Sequence, residues 1–244
     1  SWFFSEGSKE LKMNFQELVN AVVTDTNRPD MDSSQGGDGQ IQQAVIRATA
    51  YLHGIDYFLK DIKEVTVQFD KLAYIQVLDT SALPRYRSLS YARKNDPTLS
   101  TFQQNPTILP PLMNNQGAVN FKESMAMFTV VNVDKIFDIY GYESERMNVM
   151  YQAGRNVNFK SPSAFQNVLF AYYQYPVADS TNNGANYQSW IAEEFPFAII
   201  SVAISNIFNN TGKQDAARKY DAPDGQIALW TRNLLLSNIE MQGR

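Results

Sequence analysis

The groups that could do chemistry in this chain are few, and their spacing is poor for it. The single histidine, His53, is the obvious general base. It needs a nucleophile and an orienting acid within hydrogen-bond reach, and neither is identifiable along the chain. His53 therefore reads as a polar packing residue beside Leu52, and no triad is nominated. Two carboxylate pairs, Glu193/Glu194 and Asp134/Asp138, have the residue types of a glycosidase. That chemistry requires two acids facing one sugar ring, and adjacent acids are ordinarily a solvated surface. The segment beginning Asp30-Met-Asp32 resembles the start of a calcium loop, but its sixth position is Gln35 rather than glycine and its twelfth is Ile41 rather than glutamate. It reads as helix-initiating loop chemistry.

Several chemistries are excluded outright or lack their signature. With no cysteine there is no disulfide, thiolate metal site or cysteine nucleophile. No Gly-rich phosphate loop, G-x-S-x-G or H-E-x-x-H occurs, so no catalytic, cofactor or metal residues are nominated. The aromatic run from Phe170 to Tyr175 could stack on sugars or bases, and is read as strand and interface packing. Arg85, Arg87, Arg93 and Lys94 form a mild basic cluster, read as solvated or ion-paired. The sequon Asn209-Asn-Thr211 falls at a helix end and is set aside. The formal net charge is −4 over 244 residues, with lysine and arginine scattered, so duplex DNA is not gripped.

The elements that would position these groups fall into an α+β order. Phe15, Leu18, Val19, Val22 and Val23 mark one helix face, with Asn14 as N-cap. Ile41, Ala44, Val45, Ala48, Leu52, Ile55 and Leu59 mark a longer helix over residues 40–59, with Asp38 as cap. The period then changes to two: Val65, Val67, Phe69, Ile75 and Val77 alternate, and further strands are expected near 89–91, 119–122, 125–131, 148–152, 156–160 and 168–175. Residues 95–117 carry four prolines and read as a long surface loop.

Helices return after a polar linker at 179–186. The run from Phe195 to Phe208 is apolar nearly all round, which suits a helix buried on several sides. Its apolar core, from Phe195 to Ile204, is about half the length of a bilayer-spanning helix, so no membrane span is expected. A second helical stretch follows Gly212, with Pro223 predicting a kink or two pieces. The expected fold is a helical bundle from the N- and C-terminal helices with an inserted β-rich sandwich or small barrel. The expected divisions are 1–12 as an extension, 13–61 plus 187–240 as the bundle, 62–186 as the insert and 241–244 as a tail. The bundle core is expected to contain Ile41, Val45, Leu52, Ile55, Phe195, Ile199, Ile200, Ala203, Ile207 and Trp230. Residues 234–244 have no evident partner within the chain.

Four stretches together carry a resemblance: MNFQELVNAVVTDTNRPD (13–30), QAVIRATAYLHGIDYFLKD (43–61), LPRYRSLSYAR (83–93), and the terminal EFPFAII, NIFNNTGKQDAARKY and LLLSNIE segments. The chain resembles the head-to-tail adaptor proteins of short-tailed bacteriophages over most of residues 13–240. That resemblance implies a virion structural protein without enzymatic activity. It implies a ring of twelve copies beneath the portal protein, assembled in the host cytoplasm, seating the tail nozzle and passing DNA through its lumen. It also implies that the C-terminal end meets the portal, where Leu236, Ile239 and Met241 would be apolar anchors and Arg244 a charged tip. A middle larger than in compact adaptors, and Pro223 within an expected helix, depart from the pattern. Alternative readings are a tail nozzle or decoration protein, or a glycan-binding or hydrolysing module in the β-rich middle.

Overall fold

The computed structural model describes residues 12–95, 127–132 and 148–243. The expected strand at 119–122, the pair Asp134/Asp138 and Arg244 lie outside those residues. The chain is mixed α+β and divides into two units, one of residues 1–61 with 175–244 and the other Ile62–Gln174.

In the helical unit α1 spans Phe15–Thr26. Its start is a reciprocal capping box: Glu17 N donates to Asn14 Oδ1 at 2.9 Å and Asn14 N donates to Glu17 Oε2 at 2.7 Å. It ends on Asn27 in the left-handed region. The following loop is held by Asp32, which is fully buried and accepts from Ser34 N at 2.9 Å and from the Gln42 side chain. Burial pushes the Asp32 carboxyl up, but the hydrogen bonds from Ser34 and Gln42 outweigh it and hold the group below the ordinary carboxylate value. Asp30 is engaged by Arg28 at 2.8 Å. A depressed folded-state pKa stabilises the fold above the unfolded value and is lost on acidification. Stability is therefore expected to fall below about pH 4, and Asp32→Asn should flatten that acid limb in urea titrations at successive pH values.

The helix α2 is Gln40–Gly54, shorter than the expected 40–59. Its cap is Gly39 at φ 78° rather than Asp38, whose carboxylate instead accepts from Gln40 N at 3.1 Å. The premature end has a tertiary cause. Asn238, far along the chain, accepts from Leu59 N at 3.2 Å and donates to Asp56 Oδ2 at 3.0 Å, holding residues 56–59 out of the helix. A single 3-10 turn, Leu59–Asp61, follows.

C-terminally, α3 (Trp190–Glu194) leads into α4 (Pro196–Asn210), α5 (Gln214–Asp221) and α6 (Gln226–Met241). Pro196 opens α4 at a position where its missing N–H goes unneeded, and Gly212 at φ 74° closes the corner after it. Pro223 separates two helical pieces. A Cβ at Gly225 would stand 2.6 Å from the Tyr220 carbonyl oxygen, so the turn into α6 requires glycine. Ile41, Val45, Leu52, Ile199, Ile200, Ala203 and Ile207 lie buried in one apolar cluster shared by α1, α2, α4 and α6, with Ile55, Phe195 and Trp230 packed against it partly buried. Each fully buried aliphatic contributes about 1.5–3 kcal/mol relative to exposure.

The β unit is a small barrel rather than a sandwich. Its strands are β1 (Ile62–Asp79), β2 (Tyr86–Lys94), β3 (Met127–Val130), β4 (Val149–Ala153) and β5 (Asn156–Gln174). The strands expected at 156–160 and 168–175 are one strand, β5, and this is what closes the barrel. Its second half pairs with β2, its first half pairs with β4, and β3 joins β2 to β4. β1 runs antiparallel along the other side of β5, with bulges between Gln68 and Ile75 that let both strands bend. Phe128, Phe159, Phe165, Phe170 and Tyr172 fill the interior, with edge-to-face rings such as Phe128–Phe159 at 5.2 Å.

Candidate functional site

Two arrangements in the helical unit stand out: a buried polar network around His53 and an exposed apolar stripe on α6.

The network has the connectivity of a nucleophile, base and acid. His53 sits on the last turn of α2, Asp61 ends the 3-10 turn, and Ser189 is the N-cap of α3. His53 Nδ1 lies 2.9 Å from Asp61 Oδ1 and His53 Nε2 lies 2.9 Å from Ser189 Oγ. A carboxylate only accepts, so Nδ1–H donates to Asp61, and in the neutral imidazole Nε2 accepts from the Ser189 hydroxyl. Trp190 Nε1 donates to the same Asp61 oxygen at 2.8 Å, and Ser189 Oγ accepts from Ala192 N at 3.3 Å. The expectation that His53 lacks an oriented partner is thus corrected: it has one on each ring nitrogen. Ser189 was not singled out at all, and no local pattern links it to His53, 136 positions away.

Geometry alone would suit acyl transfer, but access does not. Ser189, His53 and Asp61 are 7%, 2% and 5% exposed. The serine oxygen is engaged as a helix cap, and the indole of Trp190 packs edge-on against His53 at 5.7 Å and Phe58 at 5.2 Å. A cavity of about 270 Å³ lies elsewhere, between the start of α2 (Asp38, Arg47) and the end of α4 (Asn206, Asn210). The network is a fastening between α2, the exit to β1 and the start of α3. Tyr187 extends it: its hydroxyl is 2.7 Å from Thr49 Oγ1. Burial pushes the Tyr187 phenol up to about 12, against the opposing hydrogen bonds of Thr49 and Ser189. A raised phenol pKa stabilises the fold below the unfolded value and is lost as pH rises through the folded one. Absorbance titration at 295 nm is expected to leave this phenol un-ionised until about pH 12, while its loss costs stability from about pH 10 upward. Titration of every tyrosine near pH 10 in the folded protein would contradict this.

Of the carboxylates considered for sugar chemistry, Glu193 and Glu194 are engaged in ion pairs. Glu193 meets Lys12 at 3.1 Å, and Glu194 pairs with Lys60, whose ammonium also stands over the Trp190 ring. Among the described residues no group of three or more His, Asp or Glu is placed to hold a metal ion. No helix among them is long and apolar enough to cross a membrane.

The second arrangement is on α6, which has an apolar packed face and an outer face on which apolar side chains stand beside Arg232 and Glu240. Ile227, Trp230, Leu234 and Asn238 point inward; Leu234 and Asn238 are each 1% exposed, and Trp230 stacks on Phe197 at 6.0 Å. Leu229, Leu236 and Ile239, spaced by seven and three, share the opposite face and are 56%, 46% and 45% exposed. Met241 is exposed at the helix end. The expected contact residues Leu236, Ile239 and Met241 are therefore accessible. Residues 234–244 are not without internal partners, however, since Leu234 and Asn238 anchor the helix. Leu229, with the most exposed side chain of the stripe, was missed because the inward-facing residues dominate the periodicity.

No protein-family model matches the chain, and no curated protein matches it.

Proposed function

We propose that this chain is a non-catalytic structural protein of a short-tailed bacteriophage virion, a head-to-tail adaptor. Copies of it, twelve in a closed ring, assemble under the portal, complete the DNA-filled head, seat the tail nozzle and line part of the DNA conduit. In this proposal the helical unit forms the bundle of the ring body.

The observation that carries the proposal is the α6 stripe. A terminal helix firmly seated through Leu234 and Asn238 presents Leu229, Leu236 and Ile239 to solvent, within the segment that carries the resemblance. Apolar residues aligned on an exposed helix face suit a groove on another protein. The mildly acidic charge favours passage of duplex DNA over retention, because each neutralised phosphate would add affinity through counterion release. A closed ring needs two different complementary faces on each subunit, and a chain of two units has surface for both.

The test is to mix the purified chain with the portal protein of the same virion and follow mass by mass photometry and shape by negative-stain imaging. Rings seated on portal are the expected result. A chain that ignores portal, or that binds or cleaves polysaccharide instead, would overturn the proposal. Ring contacts too weak to hold alone would close on the portal template.

A further inference from the structure

The cavity of about 270 Å³ between the start of α2 and the end of α4 is lined by hydrogen-bonding groups that the fold does not use. Gln43, Ala44 and Arg47 line it from α2, at the three-four spacing that puts them on one face, and Asn206 and Asn210 line it from α4. The two helices are locked together there: Val45 and Ile207 are buried in one cluster, and Ala44 itself is 4% exposed. The polar groups are thus mounted on rigid backbone, as a binding site requires. The side chains of Gln43, Arg47, Asn206 and Asn210 make no hydrogen bond or ion pair with any other described residue.

The charges in the lining restrict the ligand. Arg47 is its one positive group and Asp38 its one negative group. Asp38 already accepts from Gln40 N at 3.1 Å and from Gln40 Nε2 at 2.6 Å, so a carboxylate stands where an incoming anion would meet the helix dipole. The N-terminus of α2 is therefore spent, and a dianion such as phosphate would be repelled by Asp38. What remains is a guanidinium fork, which matches the two oxygens of a carboxylate, beside three carboxamides that can both donate to and accept from a peptide group. The volume lies just under the range of about 300–1,000 Å³ that holds drug-sized ligands, and admits roughly one or two residues. We propose that this cavity binds a carboxylate with an adjacent amide, the chemistry of a peptide C-terminus or a free acylated amino acid, held by Arg47 with Gln43, Asn206 and Asn210. The site lies wholly within the helical unit and is independent of the portal contact on α6.

The probe is N-acetylglycine, a carboxylate next to one amide. Titrated into the full chain labelled with nitrogen-15, it should saturably shift the Arg47 Nε–H signal and the carboxamide signals of Gln43, Asn206 and Asn210, with a Kd on the order of 1–10 mM for so small a ligand. N-acetylglycinamide, which lacks the charge, should bind at least roughly tenfold more weakly, as should N-acetylglycine to Arg47→Gln. Arg47→Lys, which keeps the charge and loses the fork, should fall between the two. Arg47 is exposed, so the thermal melt of each variant should match that of the parent. A tetrapeptide with a free C-terminus that binds more tightly than N-acetylglycine would assign the site to a protein terminus, and one that is excluded would assign it to a free acid. No saturable shift up to about 50 mM, equal binding of the uncharged amide, or undiminished binding by Arg47→Gln would each overturn the site. None of these readouts involves portal, so failure here is distinct from failure of the adaptor proposal.

Discussion

Replacing Asp61 with alanine is expected to destabilise the helical unit by about 3 kcal/mol or more, as much as losing a large core side chain. The carboxylate receives two buried donors on one oxygen, His53 Nδ1–H at 2.9 Å and Trp190 Nε1–H at 2.8 Å. Neither can turn to water, since His53 is 2% exposed and the indole is wedged between His53 and Phe58. Each orphaned donor costs about 1–3 kcal/mol, and the loss spreads, because His53 also holds Ser189 at the start of α3. Asp61→Asn, which keeps an acceptor oxygen, should lose distinctly less. The measurement is urea unfolding followed by tryptophan fluorescence, with Trp2 replaced by phenylalanine so that the signal comes from Trp190 and Trp230 of the helical unit. An Asp61→Ala loss below about 1 kcal/mol would mean the network is solvated and the fastening role wrong.

Introducing glutamate at Leu236 and Ile239 together is expected to abolish portal association while leaving the fold intact. Two apolar anchors, each contributing about 1.5–3 kcal/mol when covered, amount to at least a hundredfold in affinity, before the penalty of burying two carboxylates. Both side chains are about half exposed and opposite the packed face, so stability should change by about 0.5 kcal/mol or less. Leu234→Ala is the counterpart: it opens a hole in the core and should lower stability by about 2–4 kcal/mol. Point substitutions are the sharper instrument here. Truncating the chain before Leu236 would also remove Asn238, whose side chain bonds Asp56, Tyr57 and Leu59. The measurement is portal binding by mass photometry beside a thermal melt. Unchanged binding by the double glutamate variant would remove α6 from the interface.

Much of the architecture is local and was legible as such. The Asn14 cap of α1, the all-round apolar character of α4, the break at Pro223 and the change of period at Ile62 depend on residues a few positions apart, where propensity and periodicity act directly. The helical core positions follow from the same spacing. Local pattern failed wherever a distant residue held the deciding hydrogen bond. The apolar spacing of α2 continues to Leu59, yet the helix stops at Gly54, where Asn238 engages the chain from 182 positions away. The two short strands expected at 156–160 and 168–175 are one bent strand, because β1 and two different neighbours pair with it along its length.

The same division applies to function. By itself the sequence determined what chemistry is closed to this protein: no thiol, one imidazole and a dispersed net charge of −4. Those are properties of composition, which folding cannot change. Only the tertiary structure decided what the remaining groups do. It joined His53 to Asp61 and Ser189 and sealed them from solvent, and it turned Leu234 of α6 inward while leaving Leu229, Leu236 and Ile239 exposed. Periodicity records how many faces of a helix are apolar; which of them is covered depends on what the rest of the chain brings against it.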